Sequence, residues 1–235
     1  MPTPSTPRSD RSSSSTTKEK ILDAAEELFS ELGYDATSLR AVTKTAGVNL
    51  AAVNYHCGSK LGLFRAIFER RIGPLNRERL AALERARERV GEGKVIPLGE
   101  VLRAFFEAPV RMAAREDPGF RRFLRIAGRM QSASGDHANA LVPVFAEVRE
   151  HFHAALRAAL PHLDDRDFSW RLHLLIGAMC TLFADPQRIA ILSQGHCDPE
   201  NPDEVLAQLI AFGKGALGAP SKEPLDEDGA AEGPA

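Results

Sequence analysis

The segment Thr37–Lys60, TSLRAVTKTAGVNLAAVNYHCGSK, restricts what this chain can fold into more than any other stretch. Leu39, Val42 and Ala46 fall three and four residues apart, which puts them on one face of a short helix. Thr37 stands where an N-cap belongs, and Gly47 where a helix end calls for a left-handed residue. Val48 plugs the turn, and Asn49 caps a second helix over Leu50–His56. On that helix Val53 faces inward, while Leu50, Ala51, Asn54 and Tyr55 are left for something outside. Small residues at its start let the backbone lie close to a large partner. This is the pattern of a helix-turn-helix whose second helix enters a DNA major groove.

The flanks extend the reading. Ser59 caps a third segment, Lys60 to about Arg71, with Leu63, Phe64, Ile67 and Phe68 on its buried side. A capped helix start offers unpaired N–H groups and a positive dipole end, and Lys60 adds a full charge, so phosphate is the expected ligand there. Upstream, Thr16 and Glu19 occupy the positions of a capping box that opens a helix running to Leu32 and ended by Gly33. Asn49, Leu50, Ala51 and Asn54 are the expected base-edge contacts; Asn suits adenine, and Leu or Ala a thymine methyl. Thr37, Arg40, Lys44, Tyr55, His56 and Lys60 are the expected contacts to the DNA backbone.

Composition sets bounds. The chain has 235 residues, 43% apolar and 26% charged, ordinary values for a soluble globular protein. Its net charge of −2 supplies no global basic field. Locally, residues 1–71 hold ten Lys/Arg against eight Asp/Glu, whereas residues 221–235 hold one Lys against five Asp/Glu. Cys57, Cys180 and Cys197 make neither a metal-ligand spacing nor a disulfide framework, which suits a reducing cytoplasm. The Ser/Thr/Pro-rich start lacks the apolar core of a signal peptide, and the longest apolar run, Leu174–Ala184, is too short to span a bilayer. His151 and His153 point about 200° apart on a helix and make poor joint metal ligands. No metal site, cofactor or catalytic pattern is expected.

Helix signals dominate the whole chain, giving an all-α class with four parts: an arm over 1–15, a three-helix DNA-binding domain over 16–72, a helical ligand-binding and dimerisation domain over 73–218, and an acidic tail over 219–235. Gly73-Pro74 predicts a break. Leu75–Val90 then reads as a charged helix with Leu80, Leu83 and Val90 facing the protein, Leu98–Arg115 as a helix kinked at Pro109, and Gly119–Ser132 as another. Ser134-Gly135-Asp136 reads as a turn. A helix ending near Leu160 starts at His137 or at Pro143. Asp167–Ala184 is apolar nearly all round from Leu174 onward, and a final helix opens at Asn201-Pro202. One modest domain cannot bury both of these last helices by itself. An isologous four-helix bundle with a second copy can, using Leu175, Met179, Leu182, Val205, Leu209 and Ile210. Apolar bulk that includes Phe106, Phe123, Ile126, Met130 and Trp170, with Arg125, Arg129 and His173 as polar anchors, predicts a ligand cavity.

Thr17–Phe68 resembles the TetR family of one-component transcriptional regulators, through ILDAAEELFSELGYDATSLR, the AGV turn and NYHCGSK. Cys57 departs from the family's usual Phe. The resemblance implies a homodimer, in all expectation a cytoplasmic, nucleoid-associated repressor, that holds a double-stranded, pseudo-palindromic operator and lets go when a small hydrophobic effector binds. The segments FLRIAGRM and WRLHLLIGA look like the PsrA-like branch, which implies a fatty acid or acyl-CoA as effector. The alternatives are a drug-like or aromatic effector, and an enzyme carrying a DNA-binding head.

Overall fold

The computed structural model describes residues 10–115, 117–130 and 139–221, with side chains described from Thr16 onward except those of Arg129 and Met130. Among the described residues every regular element is helical, as the class expected. The elements are α1 (Asp10–Leu32), α2 (Leu39–Ala46), α3 (Leu50–Cys57), α4 (Lys60–Val90), α5 (Leu98–Ala113), α6 (Pro118–Met130), a 3-10 turn at Val142–Phe145, then α7 (Ala146–Ala159), α8 (Asp165–Ala184), α9 (Gln187–Leu192) and α10 (Pro202–Gly218). None of them is long and apolar enough to cross a membrane.

Local chemistry sets the boundaries around the helix-turn-helix. Ser38, not Thr37, caps α2: its hydroxyl accepts from the Ala41 N–H at 3.1 Å. Thr37 is 1% exposed and donates its hydroxyl to the Gly33 carbonyl at 2.8 Å, closing the end of α1. It can neither cap α2 nor reach a phosphate. Gly47 adopts the left-handed conformation at φ 65°, as its position required. Asn49 and Ser59 cap α3 and α4 through the N–H groups of Ala52 and Gly62.

Two further boundaries differ from expectation. Helix α1 begins at Asp10, so Thr16–Glu19 lies within a helix rather than opening one. Helix α4 runs unbroken through Gly73 and Pro74 to Val90. Pro74 leaves the Arg70 carbonyl without its intrahelical donor, but Ile72 and Leu75 are buried on the same helix and hold it in place. Helix α5 continues through Pro109 to Ala113, as the reading of one helix over Leu98–Arg115 expected. The turn expected at Ser134–Asp136 lies outside the described residues.

The apolar interior forms two clusters. One joins α1–α4 to Phe120, Phe123 and Ile126 of α6; the other fills the space among α4, α5, α7, α8 and α10. Helix α4 belongs to both. A series of ring contacts runs from α1 into α6: Phe29 meets Phe64 at 5.5 Å, Phe64 meets Phe68 at 5.0 Å, and Phe68 meets Phe123 edge-on at 5.0 Å. Such pairs each add about 0.5–1.5 kcal/mol beyond their area burial.

An ion-pair network ties the same elements together. Glu26 of α1 is 1% exposed and takes Arg70 on one carboxylate oxygen and Arg71, at 2.9 Å, on the other. Arg70 also reaches Asp23 at 2.8 Å and Glu19 at 3.1 Å, and Arg71 reaches Asp117 beside α6 at 3.4 Å. Burial works against the Arg70 charge, but hydrogen bonds to Asp23, Glu26 and Glu19 outweigh it and hold the guanidinium above its ordinary pKa.

Candidate nucleic-acid interface and effector cavity

Helix α3 rests on the head through buried Val53 and turns Leu50, Ala51, Asn54 and Tyr55 outward, with Tyr55 81% exposed. These are the residues the sequence left for a partner. The Asn49 carboxamide oxygen accepts from the Ala52 N–H at 2.9 Å, which spends one of its two lone pairs on the cap and fixes the side chain against the start of α3. Asn54 keeps both groups on the open face. His56 is half-buried, with Tyr55 edge-on at 5.0 Å. Arg40 and Lys44 extend from α2 into solvent with no ion-pair partner among the described residues. Lys60 donates from Nζ to the Asp35 carbonyl at 3.1 Å and sits 4.5 Å from the Tyr34 ring centroid, a hold that a phosphate must compete with. Burial pushes the Cys57 thiol above its ordinary pKa, with the Lys18 charge opposing only in part. That suppresses the thiolate an oxidation sensor needs.

A residue missed from the sequence fixes the angle of α3. A Cβ at Gly62 would lie 2.0 Å from the Cys57 carbonyl oxygen, so the last turn of α3 lies directly against the first turn of α4. Its signal was visible, since Gly at the third helical position after a Ser cap is a poor helix former with no capping role of its own.

Behind the head, α4–α8 line a cavity of about 370 Å³. Phe106 and Phe123 line it as expected. Four other expected lining residues do not. Ile126 is buried among the head-side cluster, Arg125 borders a smaller cavity of about 240 Å³, and Trp170 and His173 lie on the outer face of α8. Hydropathy cannot say which side of an all-apolar helix turns inward, and α8 turns Phe168, Leu175 and Met179 in. The side chains of Arg129 and Met130 lie outside the described ones. The lining instead takes its polar groups from Arg79, Arg149, His153 and Cys180.

The same rotation corrects the expected dimer contacts. Leu175, Met179, Val205 and Leu209 are buried inside the single chain, and Leu182 and Ile210 are half-buried against its core. The outward apolar residues are Trp170 and Leu174 of α8, each 62% exposed, and Phe212 of α10, 54% exposed. Gly177 and Gly215 beside them face open space. Helices α8 and α10 pack on each other, so these residues belong to one two-helix layer.

Residues 21–67 match the family described as bacterial regulatory proteins, tetR family, and residues 103–216 match the tetracyclin repressor-like C-terminal domain. Over 48 residues, 20% of this chain, the sequence is 42% identical to the probable HTH-type transcriptional regulator YttP of Bacillus subtilis. Over 52 residues, 22% of this chain, it is 40% identical to the biofilm operon icaADBC negative transcriptional regulator IcaR of Staphylococcus epidermidis. The matched stretches span 23% and 28% of those two proteins, about a quarter of their length. The crystal structure of NalD, the secondary repressor of the MexAB-OprM multidrug efflux pump in Pseudomonas aeruginosa, superimposes with a TM-score of 0.54 at 25% identity, covering 86% of this chain and 97% of that one.

Proposed function

Because the chain belongs to the TetR family of transcriptional regulators, which are not enzymes, we propose that it is a repressor that grips a pseudo-palindromic operator as a homodimer and releases it when a small, largely apolar effector fills the cavity behind α4. The observation that carries this reading is the outward face of α3, where Leu50, Ala51, Asn54 and Tyr55 are exposed and belong to neither apolar cluster. A two-fold dimer offers two such faces to successive major grooves, roughly 34–36 Å apart for half-sites one turn apart. Selection from a random duplex library with the full chain is expected to enrich a two-fold symmetric sequence. Enrichment of an asymmetric motif, or of none, would refute the reading.

Charge and specificity divide between residues. Lys44→Ala and Lys60→Ala are each expected to weaken all DNA sequences alike and to shallow the salt dependence of log K by about 1.8 for the dimer, since each removes one phosphate contact in both half-sites. Asn54→Ala should instead change the preference among sequences at one position of each half-site. A salt slope unchanged in both lysine variants would remove them from the phosphate contacts.

Dimerisation is assigned to the α8–α10 layer. Exposed large side chains beside glycines that leave room for a neighbour support an isologous helix-on-helix contact. Leu174→Glu is expected to give a monomer in sedimentation equilibrium with near-normal helical content and operator affinity lowered at least tenfold. A dimer that survives both Leu174→Glu and Phe212→Glu would place the contact elsewhere.

Fatty acids and their acyl derivatives are the first effector class to test. The cavity's largely apolar lining supports them, as does the resemblance of FLRIAGRM and WRLHLLIGA to the PsrA-like branch. An effector moves the equilibrium only by binding the DNA-free arrangement more tightly. Helix α4, which lines the cavity and begins at the DNA face, is the element such binding would shift.

A further inference from the structure

Arg79 lies near the middle of α4, 4% exposed, in the wall of the cavity. Its partners among the described residues are all neutral. Nε donates to the Phe105 carbonyl at 2.9 Å, Nη1 reaches Asn76 Oδ1 at 3.4 Å, and the guanidinium stacks 4.1 Å from the Phe105 ring centroid. Asn76 is itself fixed by donating to the Val144 carbonyl at 3.1 Å. These contacts orient the guanidinium but use a minority of the donors it presents. Burial lowers its pKa to about 10, opposed in part by nearby Cys180, which leaves it charged at neutral pH. No Asp or Glu lines the cavity among the described residues; the other ionisable groups are exposed Arg149 and His153 of α7 and the Cys180 thiol.

A buried cation without a counter-ion is costly, and proteins normally pair one with a carboxylate. Here the apolar wall and a guanidinium with no carboxylate partner among the described residues share one cavity. We propose that Arg79 is the anchor for the effector's own anion, and that the cavity takes a compact carboxylate on an apolar body, head inward against Arg79. The proposal rests on the effector reading above and narrows it. A free acid fits; a coenzyme A thioester does not, because its chain ends in a neutral thioester and its phosphates lie too far from that chain to meet Arg79 beside the apolar wall.

Calorimetric titration of the full chain with decanoate, 1-decanol and decanoyl-CoA tests the anchor. The wild type is expected to bind decanoate at least tenfold more tightly than either of the others. Arg79→Met should erase that preference while leaving 1-decanol binding unchanged or stronger, and Arg79→Lys should keep part of it. Should Arg79→Met fail to fold, the wild-type ratios and Arg79→Lys decide. Equal affinity for acid and alcohol in the wild type, a preference that survives in Arg79→Met, or a coenzyme A ester bound more tightly than the acid would each overturn the proposal. Release of a selected operator, followed in parallel, separates the two readings. Decanoate bound through Arg79 with the DNA complex left intact upholds the anchor and overturns the effector reading. Release by 1-decanol with no preference for the acid does the reverse.

Discussion

Glu26→Ala is expected to destabilise the protein by about 3–5 kcal/mol, a large fraction of the stability of a typical domain. The reason is the asymmetry between forming a buried ion pair and breaking one. Glu26 is 1% exposed and holds both Arg70 and Arg71. Removing it strands two guanidiniums in a partly dehydrated space, where Asp23, Glu19 and Asp117 remain as exposed substitutes at the edge. Urea denaturation should show a lower midpoint with an unchanged slope. Glu26→Gln keeps a hydrogen-bond acceptor without the charge and should fall between alanine and wild type. The matched control is Glu84→Ala: its contact with Arg87 at 2.7 Å is solvent-exposed on both sides and should cost no more than about 0.5 kcal/mol. A Glu26→Ala variant as mildly affected as this control would mean that water replaces the carboxylate freely.

Gly62→Ala is the second large effect, and it should separate stability from DNA binding. The added methyl would stand 2.0 Å from the Cys57 carbonyl oxygen, and a backbone atom cannot swing aside as a flexible side chain would. Helix α3 must tilt away from α4, or the α4 start must unwind. Overpacking of this kind costs about 1–3 kcal/mol. The larger consequence is positional, because α3 is the helix assigned to the groove and its outward residues move with it. Operator affinity is expected to fall at least tenfold at fixed salt. Gly99→Ala, whose nearest neighbour would be the mobile Lys214 Cδ at 3.7 Å, should leave both properties near wild type. Undiminished affinity in Gly62→Ala would show slack at the α3–α4 junction.

The head was legible in the sequence because its signals are local. Caps, a left-handed glycine and a three-four apolar spacing each act within a few residues, and Asn49, Ser59 and Gly47 behave accordingly. Thr37 and Ser38 show the limit of such signals: two adjacent hydroxyls compete for one cap, and only packing decides that Thr37 turns back to α1. Arg79 could have been found. Ile72, Leu75, Arg79, Leu83 and Ala86 form one buried stripe along α4, so the arginine occupies a core position of an otherwise apolar face. Taking Gly73-Pro74 as a break cut that stripe in two and hid it. The orientation of α8 was not legible, since a helix apolar on all sides carries no hydrophobic direction of its own. Glu26 was hidden differently: a carboxylate between Leu22 and Phe29 declares itself buried only when Arg70 and Arg71 arrive from a distant part of the chain.

The ring contacts from Phe29 to Phe123 bear on how such proteins can be recombined. Exchanging sensor domains between relatives by joining chains at Gly73-Pro74 would cut through α4 and separate Phe68 from Phe123 and Arg71 from Asp117. The hybrid would present a head with an open apolar underside. A functional graft must carry α6 with the head, or re-create its aromatic face in the incoming domain. The unit that can be exchanged is therefore larger than the segment that touches DNA, and it is defined by shared packing rather than by position along the chain.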